Sequence, residues 1–541
     1  MPEYLSPGVY VEEVDRGPKP IEAVGTAMPA FVGFTEKAEL LRSVDGEQVT
    51  ESVINKAMLV TNWSQYVQTY GQFVEGAYLP HAVYGYFNNG GSRCYIVSVK
   101  TIGKAQTALL GSDGKPHLLV RAKQAGYSGL RLRVKVDVPE APPPEEGEKG
   151  KGKSAPPAAH APFTITVERQ GMSGAWMTEE VVSEVTMAEM EEEGAKKVEL
   201  LYKNNRAPEW IELVVPEGAA PLAKIWPKAQ EQSLNFEQKQ LEASTSSQFK
   251  GDVAERSGIE GLEALDDVTM LAVPDLMSVP PGGELDLNMV KAVQTAMIAH
   301  CERLGDRVAI VDPPPNMLPQ EIKKWRMDTA GYDSSYAALY YPWIQVDDPA
   351  TNRPIYMPPS GHMAGIWART DNTRGVHKAP ANEVVLGATG LAYNTTKGEQ
   401  DTLNPNGVNC IRAFPGRGIR VWGARTLSSN PSWRYLNVRR LFNMIEKSIE
   451  NGTQWVVFEP NDYSLWARVK RDVSAFLRMV WREGALFGLS PAEAFYVKCD
   501  EELNPSESRD LGRLIVEIGI CPVKPAEFVI FRISQWAGPG G

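Results

Sequence analysis

The sequence has little of what prebuilds a metal or redox site. Its five cysteines, Cys94, Cys301, Cys410, Cys499 and Cys521, are widely spaced, odd in number and contain no C-x-x-C pair. Neither a disulfide framework nor a zinc site is indicated, and they read as small buried hydrophobes. Histidines number only six. His300 beside Cys301, and the pair His362 and His377, lack the i, i+4 spacing that sets two ligands on one helix face. Excess positive charge is also missing: a net charge of -11 and a pI of about 5.3 argue against binding nucleic acid through its phosphates. No run nears the roughly 18 apolar residues needed to span a bilayer. The opening Met1-Pro2-Glu3-Tyr4 is not a basic stretch leading into an apolar one, so the expected site of synthesis and assembly is the cytoplasm, without membrane insertion.

Catalytic motifs are equally scarce. Gly147 to Ser154 satisfies the P-loop spelling G-x-x-x-x-G-K-[ST], but Pro142-Pro143-Pro144 precede it and Pro156-Pro157 follow it. A phosphate cradle needs a strand running into the loop and a helix N-terminus directly after it, so the spelling is attributed to Gly/Lys-biased composition. Asp312, at the end of Val308-Ala-Ile-Val-Asp, resembles the carboxylates at the C-terminal edge of parallel strands in α/β enzymes. Three prolines follow it and no G-x-G-x-x-G lies nearby, so it reads as a strand-terminating cap. Ser360-Gly361-His362 lacks the first glycine of a nucleophile elbow. The reading assigns no catalytic residue, no metal ligand and no cofactor.

What the sequence has is ample core material. With 541 residues, 43% hydrophobic and 23% charged, it is long enough for several domains or one core carrying an insertion. Residues 1–20 hold Pro2, Pro7, Pro18 and Pro20 around a short extended pattern, an N-terminal arm. Residues 21–103 begin an α/β core with a strand at Ala30 to Phe34, a helix at Trp63 to Tyr70 and a strand at Cys94 to Val99. Residues 104–256 read as an inserted β-rich outer domain. Within it, 139–162 carries seven prolines and cannot bury enough apolar surface to offset its ordering entropy, so disorder is expected there. Residues 257–520 return to the core as strand (Val268 to Val273), helix (Leu287 to Leu304), strand (Arg307 to Asp312), helix (Pro319 to Ala330) and strand (Tyr336 to Val346). That alternation predicts a doubly wound α/β fold.

Two amphipathic helices are expected at Trp433 to Glu450 and Asp462 to Glu483, with a strand at Gln454 to Phe458 between them. In the second helix Leu465, Trp466, Val469, Val473, Phe476, Leu477 and Val480 recur at three- and four-residue steps, while Arg468, Arg471, Arg478 and Arg482 take another face. Strands are expected at Arg513 to Ile520 and Glu527 to Ile533, the last within a C-terminal arm, 521–541.

Several segments resemble contractile tail sheath proteins of myophages, pyocins and extracellular contractile injection systems. They are Tyr4 to Glu13; Arg369 to Asn382, with His377 where relatives often carry Trp; Gly416 to Leu427; Trp433 to Arg440; Phe458 to Asp462; and Pro525 to Arg532. The inserted region shares nothing usable.

The resemblance implies a subunit that polymerises helically with itself around an inner tube protein, and that meets baseplate and sheath-terminating cap proteins. It also implies contraction that drives the tube through a target envelope, and residence in a phage tail or tail-like particle, released or membrane-docked. Terminal arms would exchange strands between subunits through Val9, Tyr10, Val11, Glu12 and Val14, and through Phe528, Val529, Ile530, Phe531 and Ile533. A helix near the C-terminus would face the tube, and the shared basic face favours the one bearing Arg468, Arg471, Arg478 and Arg482. Two other readings stay open: an α/β nucleotide-dependent enzyme, and a static tube or coat protein.

Overall fold

The computed structural model describes residues 20–44, 47–139, 161–171, 173–192, 195–216, 221–351 and 353–532. The P-loop spelling, most of the proline-rich segment, Val9 to Val14 of the N-terminal arm, and Ile533 lie outside the described residues. The chain forms two compact units. The larger takes Ala27–Arg369 and Pro380–Arg434; the smaller takes the chain up to Thr26, Thr370–Ala379 and everything from Tyr435.

An eight-stranded sheet organises the larger unit. Its strands in chain order are β1 (Pro29–Thr35), β2 (Ala57–Val60), β3 (Cys94–Thr101), β4 (Met270–Ala272), β5 (Val308–Val311), β6 (Ala337–Tyr341), β7 (Val408–Phe414) and β8 (Gly418–Val421). They lie side by side as β8-β7-β6-β5-β4-β1-β3-β2. The six inner strands pair in parallel, and only β2 and β8 at the two edges run antiparallel. Parallel strands covered on both faces read as continuous apolar runs rather than alternating ones. Accordingly every residue of β1, β4, β5 and β6 is buried.

Between β3 and β4 the chain makes two antiparallel sheets. One contains Leu132–Asp137, Phe163–Gln170, Trp176–Glu192, Ala195–Leu201 and Gln230–Ser233; the other contains Gln106–Leu110, Pro116–Ala122 and Ile211–Val214. Their inward residues, among them Leu118, Val134, Phe163 and Ile165, join one buried cluster with Val32 and Val97 of the eight-stranded sheet.

Helices α1 (Trp63–Tyr70), α2 (Leu79–Asn88), α3 (Leu287–Leu304) and α4 (Ser360–Arg374) follow. The α3 bounds coincide with the expected span. Asp286 caps its first turn by accepting the Asn288 and Met289 N–H groups, and Gly305, in the left-handed region at φ 73°, closes its end. The expected strand Tyr336 to Val346 divides: Ala337–Tyr341 stays in the main sheet, while Ile344–Asp348 pairs with Arg353–Met357 and Ala388–Leu391 in a separate one.

The smaller unit is built on α5 (Leu436–Gly452) and α6 (Tyr463–Arg482). All seven apolar residues expected to share one side of α6 are buried, packed with Leu441, Met444 and Ile445 of α5 and with Ile21. Asp462 is the cap, accepting the Leu465 N–H at 2.8 Å.

Three expected strands are corrected here. Gln454 to Phe458 is a 3-10 turn over Gln454–Val456 followed by a loop: no strand pairs with it among the described residues, and Phe458 has φ 68°. That left-handed backbone costs a bulky residue about 1–2 kcal/mol and is foreign to a strand. Of Arg513 to Ile520 only Glu517–Ile520 is strand, and Glu527 to Arg532 pairs with no strand among the described residues.

Candidate assembly site

In open parallel sheets, ligands settle outside the carboxyl ends of the strands where the strand order reverses. Here the reversal falls between β1 and β4, and the position is filled. Asp275, three residues past β4 and 1% exposed, accepts the N–H of Phe34 at 2.6 Å and of Leu79 at 3.1 Å, and also the N–H of Tyr78. Tyr78 and Leu79 open α2, so the chain's own carboxylate occupies the helix N-terminus that would otherwise suit a phosphate. Gly33 permits the approach: a Cβ there would lie 2.3 Å from an Asp275 carboxylate oxygen. Burial raises the Asp275 carboxyl to about 7 despite its three backbone donors.

Asp312 repeats the design one strand over. It is 3% exposed, follows β5, and accepts the N–H of Ser360 at 3.0 Å, capping α4 as a strand-ending cap would. Sequence reasoning singled out this aspartate and missed Asp275, although both follow a short apolar strand by one to three residues. Burial raises the Asp312 carboxyl to about 7 as well.

The folded state therefore holds the Asp312 proton more tightly than the unfolded chain does. Its stabilising contribution is complete below the ordinary value of 3.8 and is lost as pH rises through about 7. Asp312→Asn keeps an acceptor for Ser360 and removes the titration. The unfolding free energy of the variant, from denaturant titrations, should fall less between pH 5 and pH 7 than that of the parent, by roughly 1.4 kcal/mol per pH unit. Parallel curves of unfolding free energy against pH would refute the assignment.

The histidines do not converge. His300 is buried beside Arg303 and Arg307, and burial first, then these cations, lowers it to about 3. His362 is buried in α4 and lowered to about 4, chiefly by burial. His377 belongs to the smaller unit. Among the described residues no group of three or more His, Cys, Asp or Glu side chains is arranged to hold a metal ion.

In the smaller unit the residues of interest are braces and open edges. Arg440 of α5, 4% exposed overall, forks onto Asp371 with Nη1 3.0 Å from Oδ1 and Nη2 on Oδ2, and Nη2 also donates to the Thr26 carbonyl at 3.0 Å. Thr26 Oγ1 donates to Asp371 at 2.6 Å, and the Val24 N–H donates to Ser448 Oγ at 3.0 Å. Two segments quoted for their resemblance, Arg369 to Asn382 and Trp433 to Arg440, thus meet in one buried ion pair that closes over residues 20–26. Nothing in local spacing announces it, since the partners are 69 residues apart.

Strands β9 (Phe495–Lys498) and β10 (Glu517–Ile520) form a sheet of two, antiparallel, with no third strand among the described residues. Tyr496 lies over Gly519, where a Cβ would come within 2.1 Å of its ring. A two-stranded ribbon leaves both outer edges with unpaired backbone donors and acceptors. Beyond β10 the chain is held through Glu527: the Val523 N–H donates to the Ala485 carbonyl at 3.1 Å, Asn437 donates to the Val523 carbonyl at 3.2 Å, and Tyr435 Oη donates to Glu527 at 3.1 Å. After that it is bare. Phe528, Val529, Ile530 and Phe531 are 68–82% exposed, so both alternating faces of the segment are apolar and uncovered.

On α6, Arg471, Arg478 and Arg482 are exposed, and Arg468, half-buried, stands at the edge of the same face. Arg468 pairs with Glu459 at 3.0 Å and lies over Trp455; Arg471 pairs with Asp472 at 2.8 Å. Arg478 and Arg482 form no ion pair among the described residues.

A helix N-terminus occupied by the chain's own carboxylate in the larger unit and open strand edges in the smaller belong to a mixed α/β protein. Models of the phage tail sheath protein central domain and the phage tail sheath C-terminal domain match residues 258–427 and 428–535. Together they account for more than half of the chain, which belongs to the phage tail sheath protein family, a family of structural proteins.

A putative prophage major tail sheath protein of Pseudomonas aeruginosa is 28% identical over 289 residues, 52% of this chain and 70% of the relative. Tail sheath proteins of Vibrio phage KVP40 and Enterobacteria phage T4 are 26% and 25% identical over 41% and 43% of this chain; the matched part spans 36% of each relative's length. In fold, the chain is similar to the sheath complex of an extracellular contractile injection system, PVC, in its contracted state. That match has a TM-score of 0.56 at 22% identity and covers 99% of both chains. The helical sheath of the anti-feeding prophage in its contracted state gives a TM-score of 0.55 at 22% identity, over 98% and 99% of the two chains.

Proposed function

We propose that this chain is the subunit of a contractile sheath, polymerising helically around an inner tube and shortening to drive that tube through a target envelope. One observation carries the reading: among the described residues, an apolar C-terminal segment with no strand partner stands in the same unit as a two-stranded sheet with two open edges. Donated to another copy, Phe528 to Phe531 would extend β9–β10, each main-chain hydrogen bond contributing about 1 kcal/mol. Such a contact is head-to-tail, so it need not close on itself and can generate a helical tube. Residues 1–20 would serve as the second arm.

The larger unit is read as a doubly wound core and 104–256 as an outward-facing insertion, with assembly in the cytoplasm into a phage tail or tail-like particle. Baseplate and cap proteins would bound the polymer at its ends. The Asp275 carboxylate at the α2 N-terminus weighs against a nucleotide-dependent enzyme.

Electron microscopy of the purified chain and of its native particle tests the reading. Striated sheaths of two diameters are expected; a single diameter under every condition would indicate a static tube, and no filaments at all would end the proposal.

The basic face of α6 is assigned to the tube. Exposed ion pairs contribute only about 0–1 kcal/mol each and are screened by salt, so the grip is weak per subunit and strong when summed. Arg471→Glu with Arg478→Glu should leave sheath contacts intact and yield contracted or empty sheaths without a tube. Tube-filled extended particles from that variant would remove α6 from the inner wall.

A further inference from the structure

Helix α6 carries an uncovered apolar patch at each end. At its N-terminal end Phe458 is fully exposed, with Val457 and Tyr463 about 60% exposed beside it. The loop that presents Phe458 is fixed rather than slack. Asn461 Nδ2 donates to the Arg513 carbonyl at 2.9 Å, Asn461 Oδ1 accepts Trp466 Nε1 at 2.8 Å, and Glu459 pairs with Arg468. A bulky side chain in the left-handed region at φ 68°, tied down on the following side and aimed at solvent, is strain retained for a purpose outside its own subunit.

At the other end Phe487 is 70% and Leu489 95% exposed. Their loop is equally well held. The Phe487 N–H donates to the Cys521 carbonyl at 2.8 Å, Trp481 Nε1 to the Gly488 carbonyl at 3.0 Å, and the Leu489 N–H to Glu493 at 3.0 Å.

Twenty helical residues separate the two patches, a rise of about 30 Å. Neither can cover the other within one subunit, and opposite ends of a rod are what a head-to-tail contact brings together. The charges around the two patches differ: Glu459, paired with Arg468, and the capping Asp462 flank Phe458, whereas Arg478 and Arg482, with Glu483, precede Phe487, and Glu493 accepts the Leu489 N–H.

We propose that Phe458 of one copy seats against Phe487 and Leu489 of the next, a contact separate from strand exchange that sets α6 helices in line through the polymer. The proposal rests on the chain being a polymer subunit.

The test uses the full chain carrying Cys521→Ser, to remove the exposed thiol, with Phe458→Cys and Leu489→Cys added together. Treated with a mild dithiol oxidant such as diamide after assembly, it should give a ladder of covalent dimers, trimers and larger species on a non-reducing gel. Mass spectrometry should identify the 458–489 link. An equal mixture of the two single-cysteine chains should stop at dimers.

Intact polymer with no 458–489 link, or a link from 458 to the tube protein, overturns the inference and leaves the polymer reading standing. Failure of the parent chain itself to polymerise takes down both. As a second measurement, Phe458→Ala should raise the critical concentration for assembly at least tenfold while leaving the melting temperature of the unassembled chain unchanged or higher. An unchanged critical concentration would equally overturn it.

Discussion

A chain ending at Glu527 should fold and melt like the full-length protein and fail to polymerise. The cut falls where the structure changes character. Residues up to Glu527 are tied to Tyr435, Asn437 and Ala485, and Phe528 to Phe531 are mostly in solvent. Removing four side chains that are already in water costs the isolated fold almost nothing. Burying them in another copy would contribute roughly 1.5–3 kcal/mol each, before the expense of ordering the segment. Interface free energy of that size, repeated at every subunit, decides whether a helix forms. Far-UV circular dichroism and thermal melting should therefore be unchanged while sedimentation shows monomers at concentrations where the parent forms filaments. Deleting Met1 to Asp15 should act in the same way. Filaments of normal length from the truncated chain would place the polymer contacts elsewhere.

Replacing Arg440 with alanine should have the largest effect of any single substitution on the stability of the smaller unit. The change strands the Asp371 carboxylate in a site where both partners are less than 5% exposed, and breaking one side of a buried pair typically costs about 3–5 kcal/mol. A fall in melting temperature on the order of 10 °C is expected. Arg440→Met combined with Asp371→Leu should recover most of the loss, because the penalty comes from an unpaired buried charge and not from absence of the pair. Arg471→Ala, on the exposed face of the neighbouring helix, is the control and should melt like the parent. An Arg440→Ala protein with unaltered melting would mean that Asp371 finds its compensation elsewhere.

The elements legible in the sequence were those whose cause is local. Leu287 to Leu304 carries its own cap, period and closing glycine, and α6 carries Asp462 and a seven-residue apolar stripe; each appears where the pattern puts it. Gln454 to Phe458 misleads because an apolar aromatic run satisfies strand propensity, while a strand exists only if another lies beside it. The long-range joints were illegible for a similar reason. Asp275 and Phe34, like Asp371 and Arg440, are brought together by topology, and a single chain carries no spacing rule for them. The basic face of α6 was readable as a face, whereas the two apolar ends of that helix became visible only once its loops had a conformation. The arm residues Phe528 to Phe531 were legible as an extended apolar run, and their exposure is what makes the run unusual.

The knot formed by Thr26, Asp371 and Arg440 also has a mechanical meaning. If the N-terminal arm is exchanged between copies as proposed, tension reaching Pro20 would not pass into a slack tether. It would meet Ile21 wedged among α5 and α6 side chains, then the Val24–Ser448 hydrogen bond, then a charged clamp that grips both the main chain and the side chain of Thr26. These attachments lie in series along the pull, so each must yield before the next is strained. Under the proposed strand exchange, these attachments would act as a graded anchor, passing a load to the helical core of the smaller unit.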